Sequence, residues 1–199
     1  MDYKEIFENN RIWAENRKAT NPEFFEHLAE GQNPDYLIIS CSDSRVTPES
    51  ICGAEPGDFL VHRNVANLVN STDQNLLSVI AFALSVLEVK HIVVCGHTNC
   101  GGVIASLSNN SNDVLKPWLN LIRQIEKENL DELDAIHDQD SRCQRLTELN
   151  TIQQCRNLTE MDIIKKSINA LSRLQIHGWM YDLGTGQLRD LNFENTHDL

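Results

Sequence analysis

The spacing of apolar residues changes several times along the chain, and each change predicts an element. Tyr3, Ile6, Phe7, Trp13 and Ala14 fall near a 3.6-residue period, which predicts an amphipathic N-terminal helix. Asn21-Pro22-Glu23 reads as an N-cap with proline in the first turn, opening a second helix through Phe24, Phe25 and Leu28 to Gly31. Helices so rich in aromatics need a surface to cover, and another subunit is the expected one. After Asn33-Pro34, the apolar run 36–40 predicts a buried strand ending at Cys41. Residues 48–52 predict a brief helical stretch, and Pro56-Gly57 a turn into a second strand over 58–63. From Thr72, read as a cap, the stripe Leu76, Leu77, Ile80, Ala83, Leu84 and Leu87 predicts a helix, and 91–95 a third strand. Strand, helix and strand at this length make a βαβ unit with parallel strands and a right-handed crossover.

Residues 103–107 read as helix and 106–112 as a polar loop. Leu115, Trp118, Ile122 and Ile125 predict a helix beginning near Pro117, while the acidic stretch 131–140 reads as a loop or solvated face. Leu146, Leu149, Ile152 and Gln153 predict another helix, and Thr159 with Asp162 has the spacing of a capping box for one more through Ile163, Ile164 and Ile168. Residues 174–183, Gly184-Thr185-Gly186 and 187–191 read as a β-hairpin whose first strand joins the sheet edge. No internal repeat is visible. The predicted fold is α/β: a mainly parallel central sheet flanked by helices, with N-terminal helices packed on a partner subunit and a C-terminal hairpin at the sheet edge.

Composition narrows this. A chain of 199 residues, 41% hydrophobic, is long enough to bury a core and short enough to predict a single domain over 1–199. A formal net charge of -12 argues against nucleic acid or an anionic membrane as partner and favours a small molecule. Without a long apolar run, and with Met1-Asp2-Tyr3-Lys4-Glu5 lacking the basic-then-apolar order of a signal peptide, a cytoplasmic location is expected. In that compartment six cysteines read as thiols or metal ligands rather than disulfides.

Two runs carry candidate chemistry: Cys41-Ser42-Asp43-Ser44-Arg45 past the first strand, and His97-Thr98-Asn99-Cys100 past the third. In open α/β sheets, ligands bind beyond the carboxyl ends of strands, so both runs converge on one place. Cys41, His97 and Cys100 supply two thiolates and an imidazole for Zn²⁺, and a three-residue set leaves a fourth tetrahedral position for water, as catalytic zinc sites do. A lone His-x-x-Cys is a weak signal; joined to Cys-x-Asp-x-Arg it is strong. Cys52, Cys95, Cys143 and Cys155 read as small core residues, and His62, His91 and His177 as packing or surface histidines.

Cys41-Ser42-Asp43-Ser44-Arg45-Val46, Val61-His62-Arg63-Asn64-Val65-Ala66-Asn67 and Cys95-Gly96-His97-Thr98-Asn99-Cys100-Gly101-Gly102 resemble the three signature blocks of the β-class carbonic anhydrases. The similarity runs from the N-terminal helices to His177-Gly178-Trp179-Met180-Tyr181-Asp182. It implies Zn²⁺ on Cys41, His97 and Cys100, and reversible hydration of CO₂ to bicarbonate and a proton. Asp43 and Arg45 would be the family's dyad: Asp43 accepts a hydrogen bond from the nucleophile, and Arg45 holds Asp43 ionised by a bidentate pair. Gln32 falls where the family places a glutamine that contacts substrate or bicarbonate, often across a dimer interface. Gly101 and Gly102 allow close backbone approach where N–H groups favour an anion. A homodimer, or a tetramer built from dimers, is implied as well. In one branch of the family a tryptophan and a glycine precede the first zinc cysteine and help form a non-catalytic bicarbonate site; here Ile38 and Ser40 stand there, although Val46, Arg63 and Tyr181 match that branch. Leu60 and Phe82 also depart from the expected pocket residues, which keeps a relative acting on CS₂ or COS as the enzymatic rival. A non-catalytic zinc protein with Asp43 as permanent fourth ligand is the rival from another class.

Overall fold

The computed structural model describes residues 2–108, 112–171 and 174–194, and its contacts divide the chain into two compact units, Met1–Asn33 and Pro34–Leu199. The first unit holds α1 (Tyr3–Thr20) and α2 (Phe24–Glu30). Asp2 caps α1 and closes a capping box with Glu5. Trp13 meets Phe24 and Phe25 edge to face, with ring centroids 6.3 and 5.7 Å apart. Neither helix buries a residue. The cap of α2 is Glu23, two residues later than expected, because Pro22 sits in a preceding turn where Asn21 Oδ1 accepts from the Glu23 N–H.

The second unit alternates strands and helices: β1 (Tyr36–Cys41), α3 (Pro48–Cys52), β2 (Phe59–Asn64), α4 (Gln74–Ser85), β3 (His91–His97) and α5 (Gly101–Ser106). Then come α6 (Lys116–Glu128), α7 (Leu130–Asp134), α8 (Gln139–Glu160), α9 (Asp162–Leu171), β4 (Gln175–Tyr181) and β5 (Leu188–Asp190). The five strands run in the order β2-β1-β3-β4-β5. β1, β2, β3 and β4 pair in parallel and β5 pairs antiparallel with β4, which is the expected mainly parallel sheet with its C-terminal hairpin at one edge.

Strand alternation sorts the core. Leu37, Ile39, Ile92, Val94 and Ile176 face Leu76, Ile80 and Leu84 of α4 and Leu158 of α8. Ile38, Val93 and Cys95 face the other way, beside half-buried Tyr36, Phe59, Val61 and Trp179. A further cluster, past the strand ends, joins Cys41 and Cys100 to Ala66, Leu68, Val103, Leu119, Ile122 and Leu146.

Three further sequence expectations change. The cap of α4 is Asp73, whose carboxylate accepts from the N–H groups of Asn75 and Leu76, while Thr72 bonds to Asn70 instead. Thr159 caps nothing, since its hydroxyl donates to the Arg156 carbonyl inside α8. The acidic stretch 131–140 is partly helical: it contributes α7 and the start of α8, and Glu132 and Asp134 pair with Arg145 and Arg142. The expected loop 106–112 lies partly outside the described residues.

Candidate metal centre

β1 and β3 are neighbours, so their final residues, Cys41 and His97, emerge side by side at the carboxyl end of the sheet. Three residues on, Cys100 occupies the N-cap position of α5 in extended backbone, which turns its side chain back toward them. The ligating atoms of Cys41, His97 and Cys100 lie within 4.8 Å of one another, and all three residues are buried.

The donor set fits a metal. The two sulfurs are 3.9 Å apart; a tetrahedral zinc with bonds of about 2.3 Å places two sulfurs about 3.8 Å apart. His97 Nδ1 donates to the Thr98 carbonyl at 2.9 Å, which puts the lone pair on Nε2. That Nε2 is buried without a hydrogen-bond partner, a costly state for a nitrogen unless a cation takes it. The Cys41 thiol is pushed down to about 4, chiefly by a hydrogen bond from Cys100, with the Ala66 N–H helping against burial. Cys100 moves the other way, holding its proton beside that thiolate despite the Gly102 and Val103 N–H groups. The two sulfurs are close enough for one to hydrogen-bond to the other, and a divalent cation bound between them would displace their thiol protons.

The Ala66 N–H approaches the Cys41 sulfur at 3.4 Å from a tight turn, Val65–Asn67. Ala66 (φ 65°) and Asn67 (φ 49°) are consecutive left-handed residues, a conformation that costs about 1–2 kcal/mol per residue without glycine. Asn64 clamps the turn, donating to the Leu68 carbonyl and accepting from its N–H, both at 2.7 Å. Trp118 Nε1 donates to the Val65 carbonyl at 2.8 Å. α5 packs directly against the turn: a Cβ on Gly102 would stand 2.8 Å from Val65 Cγ1 and 3.0 Å from Ala66 Cβ.

Asp43 and Arg45 meet as the sequence leads one to expect. Asp43 Oδ1 accepts from the Arg45 backbone N–H at 3.0 Å and from Nε at 2.9 Å, and Oδ2 accepts from Nη2 at 2.8 Å. The guanidinium holds this carboxyl well below the usual carboxylate range, against the effect of partial burial. Asp43 Oδ2 lies 3.8 Å from His97 Nε2, so it stands beside the ligands without bonding to that nitrogen. The loop is held from β2, where Arg63 donates Nε to the Cys41 carbonyl at 2.9 Å and Nη2 to those of Asp43 and Val46, each at 2.6 Å.

The structure therefore brings Cys41, His97, Cys100, Asp43 and Arg45 together. Gly102 is close by and directs its N–H to the Cys100 sulfur, while a Cβ on Gly101 would meet open space. Gln32 belongs to the first unit, as an exposed residue between α2 and β1. Leu60 packs against the α4 side of the sheet, and Phe82 is an exposed residue of α4. Sequence reasoning missed the work of Arg63 and of the Ala66 N–H. The available signal was the polar pair Arg63-Asn64 at the end of an otherwise apolar strand.

An α/β sheet with a buried Cys-His-Cys cluster and a carboxylate-guanidinium pair at its carboxyl edge defines a class of metal-site enzymes. Residues 36–188 match the family described as Carbonic anhydrase. A carbonic anhydrase of Emericella nidulans is 46% identical over 192 residues, covering 96% of this chain and 84% of its own. A tetrameric β-carbonic anhydrase from Sordaria macrospora superposes with a TM-score of 0.92 at 39% identity, covering 96% of both chains. The Coccomyxa β-carbonic anhydrase, solved in complex with acetazolamide, gives 0.90 at 34% identity over 96% of this chain and 86% of its own. The chain belongs to the β-carbonic anhydrase family, and it is an enzyme of that kind.

Proposed function

We propose that the chain binds Zn²⁺ through Cys41, His97 and Cys100 and catalyses the reversible hydration of CO₂ to bicarbonate and a proton. The observation that carries the reading is the buried, unpartnered Nε2 of His97 facing two sulfurs. When bound, zinc supplies Lewis acidity, enough to make water a nucleophile near neutral pH. The chain's own groups do the rest. Asp43, kept ionised by Arg45, accepts a hydrogen bond from the nucleophile and fixes its orientation. Arg63 keeps the Asp43 backbone in place, and the cluster of Ala66, Leu68, Val103 and Leu119 keeps the ligands dry. Substrate contacts are assigned to the Gly101 backbone and, across a dimer interface, to Gln32 of a second copy, the Gly102 N–H being directed to the Cys100 sulfur.

The reading extends to a homodimer or a tetramer built from dimers. It is supported by the tetrameric relative and by the half-buried aromatic face of the sheet around Ile38 and Val93. Stopped-flow CO₂ hydration on metal-analysed protein tests the activity. Stoichiometric zinc with turnover lost on chelation is the expected result, and protein with full zinc but no hydration would overturn it.

A further inference from the structure

We infer that Asn150 and Gln154 of α8 are positioning residues for the Cys41 sulfur: they hold the left-handed turn at Ala66 so that its N–H stays on that sulfur, and thereby set how strongly Cys41 donates to a metal. The inference rests on the metal reading above. Both side chains are buried, on the face of α8 that passes the ligand cluster. Asn150 Nδ2 donates to the Ala66 carbonyl at 3.0 Å. Its Oδ1 accepts from Gln154 Nε2 at 2.9 Å, and Gln154 Oε1 accepts from the Val69 N–H at 2.8 Å. Asn157 closes the series, donating Nδ2 to Gln154 Oε1 at 3.0 Å and to the Val69 carbonyl at 3.1 Å.

The order of donors and acceptors admits a single arrangement. The Ala66 carbonyl can only accept, so Asn150 must present its NH₂ there and its oxygen to Gln154; Gln154 must then present its oxygen to the Val69 N–H. Two points of the strained segment are thereby fixed to one rigid helix. Asn64 holds Leu68, and Trp118 shares the Val65–Ala66 peptide with the Cys41 sulfur, but the Ala66–Asn67 peptide is held by Asn150 alone among these contacts. The Ala66 carbonyl and the Val69 N–H need partners when buried, and any polar group or a water could supply them. What amides add is direction. Hydrogen bonds to a metal thiolate lower its donation, and groups behind the ligands fix their orientation.

The test uses Asn150→Leu and Gln154→Met, which keep bulk and remove the amide, in protein loaded with cobalt(II) for spectroscopy and with zinc for release. In Asn150→Leu the sulfur-to-cobalt charge-transfer band is expected at longer wavelength, and zinc passes to a chromogenic chelator about tenfold faster. Gln154→Met, one link further out, shifts both in the same direction by less, and it carries the test if Asn150→Leu does not fold. Leu158→Val, in the same helix but in the α4-side core, loses stability and leaves band and release rate at their wild-type values. Bands in both amide variants that coincide with wild type, or an equal shift in Leu158→Val, would overturn the inference while leaving the metal reading intact. Wild-type protein that takes up neither metal would end both.

Discussion

At Asp43 a single side chain has two jobs that a substitution can separate. Its carboxylate neither bonds to His97 nor lines the sulfur pair, so Asp43→Asn should leave zinc near one per chain by elemental analysis. Turnover should fall by about a hundredfold or more, because the amide cannot take up the nucleophile's hydrogen bond in the same sense. Zinc lost along with activity would make the residue chiefly structural. Arg45 depresses the Asp43 pKa, so the carboxylate is already charged well below neutrality and does not change charge between about pH 6.5 and 9. A hydration rate rising with pH over that interval then reports the nucleophile, and Arg45→Gln should lower the plateau without displacing the curve. These residues were legible because short polar runs directly after apolar strands expose both chemistry and place. Arg63 was harder to read: the polar pair Arg63-Asn64 ends an apolar strand, but nothing in it shows that the guanidinium reaches three carbonyls of the neighbouring strand's loop.

Among the elements, the βαβ core was readable from β1 to β3, where buried strands are continuous apolar runs. The long helix α8 was read only in part. It buries Thr147, Asn150, Thr151 and Gln154, so a polar face lies where an apolar stripe would announce the core. Its passage over β3 depends on a bare backbone: a Cβ on Gly96 would stand 2.2 Å from Thr151 Oγ1 and 2.9 Å from Met180 Sδ. Gly96→Ala should therefore destabilise by about 1–3 kcal/mol in urea melts, as overpacking does. Gly101→Ala, in open space, should leave the midpoint nearly unchanged. The caps were missed by one or two residues because Thr72 and Asp73 are both good caps on sequence alone, and only the folded turn assigns Thr72 to Asn70.

For the molecule as a whole, burial sets the response to acid. His62 and His177 are both pushed below the ordinary histidine value by burial, so their neutral forms belong to the fold. The unfolded chain takes up those protons first, so this contribution is complete above about pH 6.5 and is lost as pH falls through the lowered folded values. Urea midpoints should drop on going from about pH 7.5 to 5.5. His177→Gln should flatten part of that drop, and an unchanged slope would count against the assignment. The expected packing of N-terminal helices on a partner remains a property of an assembly, and solution mass by light scattering measures it.

β2 forms one margin of the five-stranded sheet, and Arg63 lies on it. The strip of backbone that carries Cys41 and Asp43 is thus moored to an outermost ribbon rather than to the protected middle. Fraying there, or a foreign chain annealing along that border, would loosen the mooring and dull the chemistry without touching a single ligand.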